Sequence, residues 1–169
     1  MTKRFLCLLL SLVLFATLMA CGAPKPKPAG NRTVKLSSYE QEIQRSLDAL
    51  KQNPDSVSTL TNLGRAYFHL GNYDKASEAL LHATEIEPYP MASFYLGLST
   101  IARGDREAGF ELLKKFRYSG NTQITQSVRT AATNLAADPT ATTEKITNTM
   151  ITAWDAGQKK AIAADRPEK

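Results

Sequence analysis

The sequence predicts an all-α protein built from successive helical hairpins behind a short targeting segment. From about residue 37 onward, apolar residues recur at helical spacing, as Ile43, Leu47 and Leu50 do, which indicates helices with one buried face. A Leu-Gly pair and a Gly-polar pair both recur after 33 residues, which predicts a repeated helix-turn-helix unit. The pairs are Leu63-Gly64 and Gly71-Asn72, followed by Leu96-Gly97 and Gly104-Asp105.

The first of these units has residues suited to a tight helical hairpin. Gly64 and Ala76 are small where the two helices would cross closely, and Leu80 would fill the space beside them. Gly71 permits the turn between the helices. Pro88 ends the second helix, because the residue before a proline disfavours helical backbone. These residues predict a hairpin whose helices approach closely.

This spacing resembles the tetratricopeptide repeat (TPR), a helical hairpin that stacks into a solenoid. The matching residues are Leu60, Leu63, Gly64, Tyr67, Leu70, Gly71, Tyr73, Ala76, Leu80, Ala83 and Pro88. Two slots that are aromatic in the family hold leucine. The second unit keeps both glycine landmarks, but other family slots hold Ser93, Thr100, Phe116 and Asn121. The resemblance implies a TPR solenoid whose concave face binds another protein.

Helices flank the two units on both sides. Ser37 and Glu40 form a capping-box pattern that predicts a helix start, and this helix resembles the second half of a truncated repeat. Two more helices are expected after the second unit. Asp138 is the expected N-cap of the last one, with Pro139 at its first helical position. We expect this pair to close the stack, because two repeats alone leave apolar faces bare.

The N-terminus carries a three-part export signal. Lys3 and Arg4 precede an apolar run from Phe5 to Leu18, within the roughly 7–15 residues of a signal-peptide core and short of the ~20 that span a bilayer. The segment Leu18-Met19-Ala20-Cys21 resembles the bacterial lipobox. That resemblance implies a diacylglycerol on the Cys21 sulfur, cleavage before this residue and acylation of the new amine. A plain secretory signal with a cysteine at its cleavage site is the alternative.

A tether rich in proline and lysine follows Cys21. Pro24, Pro26 and Pro28 disfavour a helix and favour the extended polyproline form. At ~3.1 Å per residue, about 15 such residues would reach some 45 Å. In the enterobacterial sorting scheme that such lipoproteins resemble, an aspartate after the cysteine retains the protein in the inner membrane. Gly22 stands there instead, which predicts the periplasmic face of the outer membrane.

Charge and residue types argue against several other functions. The chain has 21 Lys and Arg against 16 Asp and Glu, a net charge of +5. Loss of Lys3 and Arg4 with a signal peptide would leave +3, interspersed along helices, which does not imply nucleic-acid binding. The two histidines, His69 and His82, lack cysteine or acidic partners at metal-ligand spacing. The sequence therefore predicts no enzyme, no metal, no cofactor apart from the lipid, and no small-molecule substrate.

The TPR resemblance places six positions of each first helix on the concave face. In the first unit the candidate binding residues are Asn62, Arg65, Phe68 and His69, a mainly polar set. In the second unit they are apolar, namely Met91, Phe94, Tyr95, Leu98 and Ile101. The apolar set is either a groove for a partner helix or strand or a surface that the last helix covers around Met150 and Trp154. The carboxylate clamp of some TPRs is not favoured, because the second set offers no basic residue.

These features predict a membrane-anchored protein-interaction module of the cell envelope. It would be an adapter or assembly factor, similar to TPR lipoproteins that act as pilotins for outer-membrane secretins. A structural or accessory subunit of a larger outer-membrane complex is the alternative. The predicted segments are a signal peptide (1–20), a lipidated tether (21–36), a helical domain (37–164) with a half-repeat (37–56), TPR 1 (57–89), TPR 2 (90–121) and a C-terminal helix pair (122–164), and a tail (165–169).

Overall fold

The computed structural model describes residues 37–165, all of whose regular elements are α-helices. They are α1 (Ser38–Leu50), α2 (Val57–His69), α3 (Tyr73–Ile86), α4 (Pro90–Ala102), α5 (Arg106–Lys114), α6 (Thr122–Ala136) and α7 (Thr143–Ala164). The all-α prediction is confirmed. Within this range, none of the helices has the length and apolar character needed to cross a bilayer. The export signal, Cys21 and the tether lie outside the described residues, so the predictions made for them remain predictions.

The first helix begins with the predicted capping box. The Glu40 backbone N–H donates to Ser37 Oγ over 3.2 Å, and the Ser37 N–H donates to Glu40 Oε2 over 2.7 Å. These hydrogen bonds favour the charged carboxylate and lower the pKa of Glu40. α1 packs against α2, where Ile43 joins Leu63 and Ala66 in a small core cluster. The capping box therefore starts a helix that covers the outer side of the first hairpin.

The first hairpin, α2–α3, depends on a close helix crossing at Gly64. A Cβ at this position would collide with the side chain of Leu80 and lie 3.1 Å from the carbonyl oxygen of Ala76. The turn beyond α2 uses Gly71 at φ 74°, a backbone conformation that glycine adopts without strain. The Asn72 N–H then donates to the oxygen of Tyr67 over 2.9 Å, which satisfies a carbonyl at the helix end.

The second hairpin, α4–α5, repeats this geometry 33 residues later. A Cβ at Gly97 would collide with Leu113 and lie 3.2 Å from the Gly109 carbonyl oxygen. Gly104 takes φ 103°, and the Asp105 N–H donates to the oxygen of Thr100 over 3.2 Å. The matching contacts show that the second unit is a structural repeat of the first, as the glycine landmarks predicted. α4 packs against both helices of the preceding hairpin.

The third hairpin, α6–α7, departs from the repeat. Its helices approach closely at Gly157, where a Cβ would lie 2.6 Å from the Cα of Ile124 near the start of α6. α7 packs mainly against α6 and also reaches α4. The predicted start of the last helix is wrong: α7 begins at Thr143, and the side chain of Thr142 caps it.

Asp138 and Pro139 lie in a turn instead of starting α7. The Asp138 carboxylate accepts hydrogen bonds from the backbone N–H and hydroxyl of Thr140, at 3.0 and 2.6 Å, and from Lys145 Nζ at 2.9 Å. The hydrogen bonds from Thr140 and Lys145 hold the pKa of Asp138 far below its usual range. A side chain engaged in this way closes the turn, so it is not available to cap α7.

Arg106, the first residue of α5, holds this turn in place. Its guanidinium donates to the carbonyl oxygens of Ala141, Leu135 and Asp138 at 2.9, 3.1 and 2.6 Å. The guanidinium carbon also lies 5.0 Å from the ring centroid of Phe110. The last carbonyls of a helix lack intrahelical partners, so this side chain satisfies the end of α6. It thereby ties the third hairpin to the second.

We expect Arg106→Gln to lower the free energy of unfolding by about 2 kcal/mol, because three backbone carbonyls lose a charged donor. Urea unfolding followed by the fluorescence of Trp154, the one tryptophan in the chain, measures the effect. Arg103→Gln is the matched control, since Arg103 makes an exposed ion pair with Asp74 at 2.7 Å, and such pairs contribute about 0–1 kcal/mol. Equal losses in both variants would contradict the role assigned to Arg106.

Candidate protein-binding site

The concave face is formed by α2 and α4, and its first-repeat half is open. Asn62 and Arg65 are half-buried and His69 is exposed, so these side chains are accessible from solvent. Phe68 is only 5% exposed and forms part of the core. The polar half of the predicted site therefore stays a surface, with Phe68 beneath it. Met91, from the second repeat, is half-buried beside the same core.

The apolar half is buried within the chain, so the predicted open groove in the second repeat is wrong for four of its five residues. The exposed fractions are 2% for Phe94, 8% for Tyr95, 1% for Leu98 and 4% for Ile101. The physical reason is internal packing, which removes this apolar surface from water. The alternative of coverage by the chain's own last helix applies to Phe94, while Ile101 packs against Gly109 in its own hairpin.

Trp154 of α7 covers the second repeat. Its ring centroid lies 5.0 Å from Phe94, 5.6 Å from Phe116 and 5.8 Å from Tyr118. Met150, one turn earlier, is fully buried in the same core. Aromatic rings at these separations contribute packing beyond their buried area. The last helix therefore fills the apolar half of the concave face with side chains from the same chain.

A continuous series of aromatic contacts crosses the concave face from α1 to α7. The Tyr39 ring stacks on His69 with centroids 4.6 Å apart and planes 12° apart. His69 contacts Tyr95 at 5.8 Å, and Tyr95 contacts Phe94 at 5.4 Å in an edge-on arrangement. Trp154 extends the series from Phe94. Tyr39 was not among the predicted site residues, because it precedes the repeat landmarks and reaches the site only through tertiary packing.

Arg65 sets the electrostatics of the open half. Partial desolvation of the ring lowers the pKa of His69, and the positive charge of Arg65 lowers it further, so both favour the neutral imidazole. Burial raises the pKa of the Tyr95 phenol; Arg65 opposes the rise, while Tyr39 and Asp155 add to it. Among the described residues, Arg65 has no hydrogen-bond or ion-pair partner. The open half therefore presents an unpaired positive charge between polar neighbours.

No group of three or more His, Cys, Asp or Glu side chains within residues 37–165 is placed to hold a metal ion. His82 Nε2 lies 3.4 Å from Asp55 Oδ1 at the surface, with both side chains largely exposed. The accessible part of the concave face consists of polar side chains over an aromatic base.

Comparisons with known proteins agree with this geometry. Residues 57–90 match the family model described as Tetratricopeptide repeat. The chain is similar to the Hsp70-Hsp90 organizing protein of Triticum aestivum, with 36% identity over 63 residues. That stretch is 37% of this chain and 11% of the wheat protein, so the likeness covers a small part of the relative. No solved structure gives a significant match. Residues 57–90 are therefore a tetratricopeptide repeat within a domain of stacked helical hairpins, and repeats of this kind suggest a protein–protein interaction module.

We expect Phe94→Ala to lower the free energy of unfolding by about 3–5 kcal/mol, because it leaves a cavity under Trp154. Urea unfolding measures the loss, and a shift of the Trp154 emission in the folded variant reports the opened contact. Leu81→Ala is the control, because Leu81 is 50% exposed and such a change costs about 0.5 kcal/mol or less. If the Phe94 variant is as stable as the control, the contact between Phe94 and Trp154 does not stabilise the fold.

Proposed function

We propose that this protein is a lipid-anchored interaction module of the bacterial cell envelope, an adapter or assembly factor that holds a partner protein near a membrane. The observation that carries the proposal is the sequence Leu18-Met19-Ala20-Cys21 ahead of a TPR domain. The lipobox-like segment would attach the protein to a membrane, and the TPR domain would bind a partner protein. The arrangement is similar to that of the TPR lipoproteins that act as pilotins for outer-membrane secretins.

The proposed anchor is strong enough to be durable. Each buried CH₂ of an acyl chain contributes about 0.8 kcal/mol, so one chain gives marginal binding and two or more hold a protein stably. Lipidation of Cys21 would supply two or three chains. Gly22, in place of an aspartate, supports the periplasmic face of the outer membrane, and the proline-rich tether would let the domain stand clear of the lipid.

The proposed binding surface is the open half of the concave face, formed by Asn62, Arg65 and His69, together with Met91 of the second repeat. Arg65 has no ion-pair partner within the described residues, so a partner carboxylate would meet an unneutralised charge. Charges at the edge of an interface act mainly on association rate and salt dependence. Phe94 and Leu98 are buried in the core, so they are not part of the proposed surface.

The likeness to the wheat protein supports protein binding in general and does not indicate a particular partner. Its name describes a protein that organises Hsp70 and Hsp90. From that likeness we take only that TPR hairpins of this kind hold other proteins. The first repeat carries both the family match and the accessible polar residues, and it is therefore the part of the chain proposed to bind.

Replacing Cys21 tests the membrane part of the proposal. Without its sulfur, Cys21→Ala has no site for the diacylglycerol, so we expect the protein in the soluble periplasmic fraction or as an unprocessed precursor. Fractionation followed by immunoblotting measures the outcome, with Cys7→Ala as the control because Cys7 lies inside the predicted signal peptide. If Cys21→Ala is processed normally and still sediments with membranes, the protein is not a lipoprotein of this kind.

Reversing the charge of Arg65 tests the binding part. We expect Arg65→Glu to reduce capture of the partner from detergent-solubilised envelope about tenfold, mainly through slower association that depends on salt. Lys75→Glu is the control, because it makes the same charge change on α3 of the same hairpin. Mass spectrometry identifies the captured protein, and fixed stoichiometry in a purified assembly would favour the accessory-subunit alternative. If both variants capture the partner equally well, Arg65 is not part of the binding surface.

A further inference from the structure

A cleft separates the first turns of α7 from the first hairpin. One wall consists of Phe68, His69 and Tyr73, and the other includes Glu144, Thr147 and Asn148. Its volume is about 430 Å³, within the range of about 300–1,000 Å³ that is typical of ligand pockets. Because one wall belongs to the C-terminal hairpin, the cleft is a feature of this chain's own third hairpin and is not supplied by the repeat alone.

Glu144 is the only formally charged side chain that lines the cleft at pH 7. It is exposed and makes no hydrogen bond or ion pair among the described residues. Lys145, the next residue, is already engaged by Asp138 at 2.9 Å. On the opposite wall, burial and the charge of Arg65 lower the pKa of His69, so His69 contributes a neutral ring. The lining therefore carries one formal negative charge, in the first turn of α7, where the N-terminus of the helix favours a carboxylate.

Aromatic side chains form the rest of the opposite wall. Tyr73 is half-buried and His69 is exposed, while Phe68, only 5% exposed, lies beneath them with its ring centroid 5.5 Å from Tyr73 and 5.6 Å from His69. Aromatic rings attract an ammonium or guanidinium group that approaches within about 6 Å of their faces. The side chains of Thr147 and Asn148 add oxygen atoms that accept hydrogen bonds from such a group. A carboxylate in the same place would face Glu144 and be repelled.

We propose that this cleft binds a lysine or arginine side chain of a partner protein, with Glu144 as its counter-ion. The proposal deepens the proposed function and rests on it only in assigning the cation to a protein partner. Arg65 and Glu144 then select opposite charges, so the partner segment carries an acidic residue for Arg65 and a basic residue for the cleft. This pairing also fixes the direction in which the segment lies on the concave face.

Two small probes test the cleft without the partner. The ¹⁵N-labelled full chain in a neutral detergent is titrated with N-acetyl-arginine amide and, separately, with N-acetyl-citrulline amide, which has nearly the same shape and no charge. We expect saturable amide shifts at residues 68–73 and 143–148 with the arginine probe alone. We also expect the binding to weaken as salt rises from 50 to 300 mM, since the pair is near the surface.

Two substitutions test whether the carboxylate of Glu144 is the counter-ion of the bound probe. Glu144→Gln is expected to lower the affinity for the arginine probe about fivefold. Asn148→Lys places an ammonium four residues after Glu144, where it forms a favourable pair along the helix, and is expected to block the probe while α7 stays folded. Glu85→Gln is the control, because Glu85 is an exposed glutamate on α3. The amide spectrum of each variant reports whether the fold is intact, and Asn148→Lys decides the matter if Glu144→Gln unfolds.

Three results would overturn the proposal: equal shifts with citrulline, shifts scattered over exposed carboxylates outside the cleft, or unchanged arginine binding in both Glu144→Gln and Asn148→Lys. The proposed function fails on different evidence. If the partner is captured through Arg65 but the probe does not bind, the cleft is not a cation site and the interaction module stands. If the probe binds the cleft but Arg65→Glu captures the partner normally, the cleft is a cation site and the surface around Arg65 does not bind the partner.

Discussion

The close crossing of the two helices within each hairpin is the constraint on which the rest of the domain depends. At Gly64 and Gly97 a single added carbon would overlap a leucine of the partner helix. Only this approach lets Leu80 and Leu113 become fully buried between the helices. A hairpin built in this way still has one uncovered apolar side, so it is stable only when another hairpin packs on it. The stacking of α1 to α7 follows from that requirement.

The third hairpin meets the same requirement by different contacts. It lacks the glycine landmarks, and its connection to the second hairpin is polar on one side and aromatic on the other. Arg106 binds one carbonyl oxygen at the end of α6 and two in the turn before α7, and Trp154 packs on Phe94 and Phe116. Together these contacts lay the last helix across the second repeat. The apolar half of the concave face is thereby used for folding, while Asn62, Arg65 and His69 of the polar half stay accessible to solvent.

This division explains how a domain of about 130 residues can be both stable and available to a partner. The core needs the apolar area of the second repeat, because small domains bury a limited share of their surface. The open part retains Arg65, whose charge acts on His69, and a cleft that His69 and Glu144 both line; within residues 37–165 neither Arg65 nor Glu144 has an ion-pair partner. Opposite charges in fixed positions favour one orientation of a bound segment over its reverse.

The sequence by itself determined the helical class, the capping box at Ser37, the two successive repeats and the crossing at Gly64. These features depend on contacts within one helix or between consecutive helices. It did not determine the turn at Asp138, where hydrogen bonds from Thr140 and Lys145 compete with a helix cap. It also left open whether Phe94 faces a partner or the core. Only the tertiary structure decided that, because the answer depends on where α7 lies, some sixty residues further along the chain. A groove lined by apolar residues and a surface covered by another helix have the same local sequence pattern.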